Sequence, residues 1–235
     1  KYTDEEDKTI GEFEGTITVT EPKRYCAVYP AAEGAEITEE NDIISDVPTA
    51  DAPASGYIIN GLVLPVEQVA TPGGFDPQAA IMTACNNNAD NIKNESEDLS
   101  LGEFKHVCAF VKVTTTEPYD KITFTANGGE NIAGEFRVTV NTEGLVTGMF
   151  SGSQSPVSEV RLVPAAGETK IAAGTYLIAI LPGELAEGFT MCCTSVDETN
   201  SDVTTMVRSY SDEIGENVFS RHNVVNMGTV AESAT

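Results

Sequence analysis

Two histidines, five cysteines and three acidic runs are the side chains of this sequence whose types could do chemistry. His106 stands within FKHVCAFVKV and His222 within SRHNVV. A general base or a metal ligand needs a partner within bonding reach, and neither local sequence supplies one. Both read as satisfied histidines at strand ends. The runs DEED at 4–7, EEND at 39–42 and DETNSD at 197–202 could offer oxygen ligands to calcium. None carries the EF-hand ladder with its central glycine and closing glutamate, so they read as solvated loops. SGSQS at 151–155 lacks the G-x-S-x-G elbow, and ANGGENIAGE at 126–135 has no basic residue placed to meet a phosphate. Both read as loops. No catalytic residue, cofactor-binding residue or metal ligand is assigned, no cofactor is implied, and no enzymatic activity is expected.

The cysteines are Cys26, Cys85, Cys108, Cys192 and Cys193, an odd number with no CxxC spacing. Neither a zinc ribbon nor a complete disulfide framework is encoded by such a set. Strand alternation puts Cys193 on one face with Phe189 and Met191, and Cys192 on the other with Thr190 and Thr194. All five are expected to be free thiols that pack as small hydrophobes.

The elements that must hold these residues are strands. Phe13, Gly15, Ile17 and Val19 alternate with Thr16, Thr18 and Thr20; Ile122 and Phe124 alternate with Lys121, Thr123 and Thr125; Phe136, Val138 and Val140 alternate with Arg137 and Thr139. Further strands are expected in 25–30, 56–65, 79–84, 159–163, 203–208 and 223–230. No stretch keeps a helical period over three turns. GTYLIAILPGELAEGFTMCCTSVD at 174–197 is apolar on both faces of its first arm, which suggests a hairpin at a sheet centre, covered on both sides, with Tyr176, Ile178, Ile180 and Phe189 buried.

Short strands between Gly, Pro, Asn and Asp clusters indicate an all-β chain of antiparallel β-sandwich class. The most hydrophilic interval, NNNADNIKNESED at 86–98, divides it into an N-terminal domain over 1–100 and a C-terminal domain over 101–235. A second polar interval, 34–55, reads as a long surface excursion. The formal net charge of -24 would repel phosphate backbones and anionic membrane surfaces, so nucleic acid is not expected as a partner. No apolar run reaches the roughly 20 residues of a transmembrane helix. The opening KYTDEEDKT, with no methionine and no signal-type apolar core, reads as a mature or trimmed segment.

RYCAVYPAAEG at 24–34 and LPVEQVATPGGFDPQAAIMTA at 64–84 resemble the fimbrillin-like proteins of anaerobic gut and oral bacteria, the cell-surface subunits of type V pili. Gln68, Ala70, Thr71, Gly73, Phe75, Asp76 and Pro77 hold the Q-x-A-T-x-G-x-F-D-P phrase of those proteins. The similarity continues through 99–138, the LP and G-F elements of 175–191, and RHNVVNMGTV at 221–230. The resemblance implies two transthyretin-like β-sandwich domains in tandem and export by a lipoprotein route to the outer-membrane surface. It also implies a role as a fimbrial subunit, anchor or adhesin, with other pilus subunits or host and bacterial surface ligands as partners. A lipid anchor would lie upstream of Lys1. In pilus-forming members, cleavage after an arginine near the start frees a strand, and Arg24 in TEPKRYCAV matches that position. The second functional class is a glycan-binding surface module. It would use Tyr25, Tyr29, Tyr57, Tyr119 and Tyr210, since the chain has no tryptophan.

Overall fold

A computed structural model describes residues 26–30, 35–39, 56–85, 103–141, 146–151, 157–196, 202–210 and 218–230. Every element in these residues is a strand, as the alternation suggests. The first are β1 (Cys26–Tyr29), β2 (Glu36–Glu39), β3 (Gly56–Leu64), β4 (Glu67–Val69), β5 (Met82–Cys85) and β6 (Lys105–His106). There follow β7 (Ala109–Thr115), β8 (Lys121–Ala126), β9 (Gly134–Asn141), β10 (Val146–Ser151), β11 (Glu159–Val163) and β12 (Gly174–Ile180). The last are β13 (Gly183–Glu184), β14 (Phe189–Val196), β15 (Asp202–Tyr210), β16 (Val218–Phe219) and β17 (Val224–Val230). The candidate strand at 13–20 lies outside the described residues.

The strands form sheets in the orders β10-β9-β3-β2, β15-β14-β8-β11-β4, β12-β7-β17, β1-β5-β6 and β13-β16. Pairing is antiparallel except at β11–β4 and β17–β7, which are parallel. The two-residue period explains the layering. Along β8 every second side chain, Ile122, Phe124 and Ala126, is buried. Those residues join one apolar cluster with Val160 and Leu162 of β11, Met191 and Cys193 of β14, Val111 and Val113 of β7, and Tyr176 and Ile178 of β12. Phe124 and Phe189 stack at 5.0 Å between centroids, and Phe219 stands edge-on to each at 5.8 Å. Aromatic geometry of this kind adds about 0.5–1.5 kcal/mol per pair beyond area burial.

In β3 the alternation changes phase. Ile59 is buried, and so are Leu62 and Leu64, which an unbroken two-residue period cannot put on one face. The β3–β9 register slips between Ile59 and Leu62, with Gly61 at φ 72°, so a bulge returns the later residues to the core.

The structure departs from the sequence reading in three places. Glu36–Glu39, within the interval read as a surface excursion, pairs with β3. The arms of the 174–197 segment do not pair with each other: β12 pairs with β7, and β14 lies between β15 and β8, so the connector crosses from one sheet to another. β12 is therefore a sheet-edge strand, not a central one. Tyr176, Ile178, Ile180 and Phe189 are nonetheless buried, as expected. The interval proposed as a domain boundary, 86–98, lies outside the described residues. Strands from both sides of residue 100 share sheets: β3 pairs with β9, β4 with β11 and β5 with β6.

Candidate functional site

An edge strand carries backbone donors and acceptors on its open side, and each must find a partner when buried. Two strands of the β12-β7-β17 sheet face that requirement, and the chain treats them differently. On the outer side of β12 groups of Thr175, Leu177 and Ala179 find partners, as does Leu181 just beyond its end. Gly73 N–H donates to the Thr175 carbonyl at 2.7 Å, and Leu177 N–H donates to the Gly74 carbonyl at 2.8 Å. The Gln68 side chain then stands in for a strand residue. Its Nε2 donates to the Ala179 carbonyl at 2.7 Å, and its Oε1 accepts from Ala179 N–H at 2.9 Å. Leu181 N–H donates to the Ile132 carbonyl at 2.9 Å.

The phrase that carries the family resemblance is thus a clasp over β12. Gln68 is fully buried and gives a further bond from Nε2 to the Pro65 carbonyl at 3.2 Å. Asp76, 6% exposed, accepts from Val69 N–H at 2.8 Å and Gln78 N–H at 2.9 Å, which closes the loop on itself. Gly73 has φ 73°, a left-handed conformation that glycine adopts without steric cost. Phe75 leaves the loop to stack on Phe110 of β7 at 5.1 Å. Spacing within the phrase is set by these bonds.

β17, the other edge, has no such cover among the described residues. It lies parallel to β7, with Val224 opposite Phe110 and Val230 opposite Thr115. Met227 and Val230 are buried, Val225 is half-buried, and Val224 is 50% exposed. The turn that leads into it is fixed by His222 N–H donating to the Cys108 carbonyl at 3.2 Å and by Phe110 N–H donating to the Asn223 carbonyl at 2.9 Å. His222 takes φ 63°, uncommon for a residue with a side chain.

That turn brings the two histidines together. Their ring centroids are 6.4 Å apart, and His106 also stands edge-on to Phe75 at 5.6 Å and to Phe110 at 5.1 Å. Burial holds the His106 imidazole below its ordinary basicity, and the neighbouring His222 lowers it further. Partial burial, then Arg221 and Lys105, lower His222. Among the described residues no group of three or more His, Cys, Asp or Glu could hold a metal ion.

No protein-family model and no curated protein matches the chain. Among solved structures, one match is the crystal structure of a candidate cell adhesion protein from Bacteroides uniformis. It is 8% identical with a TM-score of 0.39, over 76% of this chain and 68% of that one.

The other residues singled out in the sequence fall as follows. Arg24 and the DEED run lie outside the described residues, as do most of the EEND and DETNSD runs and SGSQS. The ANGGENIAGE segment joins β8 to β9, which belong to different sheets, and Glu130 Oε1 accepts from Ala186 N–H at 2.6 Å across it. Tyr119 is 4% exposed and cannot act as a glycan platform. The cysteine expectation needs correction. Cys108, Cys192 and Cys193 are free, but Cys26 is disulfide-bonded and stands opposite Cys85, the remaining cysteine, in the β1–β5 register. Adjacent antiparallel strands bring directly opposed residues within disulfide reach, a relation that spacing along the chain cannot reveal. Burial pushes the Cys108 and Cys193 thiols up to about 12, which makes both inert packing groups.

Proposed function

We propose that this chain is a non-enzymatic cell-surface adhesion protein or fimbrial subunit, which assembles or binds through strand edges and loops. The observation that carries the reading is the contrast between the two edges of the β12-β7-β17 sheet: one is sealed by the clasp, whereas β17 has no partner on its outer side among the described residues. An open edge offers main-chain hydrogen bonds to an incoming strand, and alternate side-chain positions give that pairing its specificity. The resemblance of the 64–84 and 221–230 segments to fimbrillin-like proteins supports the same reading. So does the Cys26 disulfide, since such bonds persist in oxidising compartments such as those reached by exported chains.

The finer features belong to this proposal: an outer-membrane location, a lipid anchor upstream, tandem transthyretin-like sandwiches and processing at Arg24. Treatment of the purified chain with an arginine-specific protease, followed by sedimentation over a concentration series, tests the assembling form. Cleavage after Arg24 with concentration-dependent oligomers is the expected result. A nicked chain that keeps residues 1–24 and stays monomeric at every concentration contradicts it.

A further inference from the structure

We propose that His106 and His222 form an acid-sensitive latch at the start of the closing strand, so that protonation of the pair loosens β17 from β7. This goes beyond the adhesion reading and holds whether or not β17 is ever donated to another chain.

The latch follows from where the pair sits. β17 is tied at its start by the His222 and Phe110 backbone bonds and at its far end by Thr116, whose N–H and hydroxyl both donate to the Val230 carbonyl at 3.2 Å. Between these ties only Met227 and Val230 are buried. β17 also pairs with β7 along its length, from Val224 opposite Phe110 to Val230 opposite Thr115, and the His106 ring stands against Phe110 and His222 where that pairing begins.

Among the described residues, the charges that act on the pair are of one sign. β6 supplies Lys105 beside His106, and the turn supplies Arg221 beside His222. β5 presents Met82 opposite His106, while β7 and the clasp present Phe110 and Phe75, none of them charged. Asp76, the carboxylate next to Phe75 in sequence, is occupied by the Val69 and Gln78 amides. His106 Nδ1 is buried with no hydrogen-bonding partner among the described residues, so a proton placed there becomes a buried donor without an acceptor. Two imidazolium ions would add like charge to a corner that already holds a lysine and an arginine.

The sign of the effect is fixed. Both imidazoles are held below the ordinary value of about 6.5 in the closed strand; release of β17 frees His222 from its burial and takes it away from His106, so the pair is more basic in the released state. The latch contributes its full stabilisation above that value. It is lost as pH falls from there through the lowered values, because the released strand binds the protons first.

Amide hydrogen exchange of the intact chain at about pH 7.5 and about pH 5, corrected for intrinsic exchange, reads this directly. Protection of 224–230 should fall several-fold in acid while β8 and β14 hold theirs. His222→Asn keeps a residue tolerant of the left-handed turn, and His106→Phe keeps the aromatic nest. Each should blunt the acid response. NMR titration of the two imidazoles in the unmodified chain is independent of whether either variant folds, and midpoints below about 6.5 are expected. Equal protection at both pH values, an undiminished response in folded His222→Asn, or midpoints at or above the ordinary value would overturn the latch.

Discussion

At Gln68 a side-chain amide completes the hydrogen bonding of a strand edge, with donor and acceptor both spent on Ala179. Gln68→Leu keeps the volume but leaves the Ala179 N–H and carbonyl buried and unpaired. Leaving such groups unsatisfied costs roughly 1–3 kcal/mol each, so a loss of about 3 kcal/mol is expected in urea unfolding. A change below about 1 kcal/mol would show that the clasp does not hold β12. The residue type was legible in the Q-x-A-T phrase, but its task was not, because Ala179 lies far along the chain. The histidines show the same limit: each local sequence lacks a partner, and the fold makes each the other's neighbour. For the cysteines, titration in denaturant without reductant should detect three thiols, and five after reduction, given the free Cys108, Cys192 and Cys193 and the disulfide at Cys26. Five without reductant would exclude the bond. In the folded chain Cys108 and Cys193 should resist alkylation near neutral pH, since both thiols are held at about 12.

At the scale of elements, alternation located most strands, since a two-residue period records which face is buried. It could not say which strand lies next to which. The apolar arms of 174–197 look like a hairpin because both are strands joined by a short polar connector, yet each satisfies its backbone in a different sheet. Both faces of β12 are apolar toward its end because it is buried there, while its open side is filled by a loop and not by another strand. The two-residue strands β6, β13 and β16 are too brief to show a period. Phe219 in β16 nonetheless closes the aromatic cluster with Phe124 and Phe189. Phe219→Ala should cost about 3–5 kcal/mol, the usual range for emptying a buried phenylalanine site, measured as a shift of the urea midpoint at unchanged slope. A loss under about 1 kcal/mol would mean that β16 is peripheral to the core.

At the scale of the whole molecule, the net charge of -24 keeps copies of the chain apart at long range, so association must rest on short-range pairing at an edge. Raising the salt concentration should therefore strengthen self-association, which sedimentation at low and high salt measures; weaker association at high salt would point to charge-driven contact instead. The central claim is that the closing strand is where chains meet. A photo-crosslinking side chain at exposed Val224, in an equal mixture of 14N- and 15N-labelled chains processed after Arg24, tests it most directly, because mass spectrometry then separates links within a chain from links between chains. Edge assembly predicts mixed-isotope links that run from the 224–230 strand of one chain to another chain; links confined to single-isotope pairs at every concentration would contradict it.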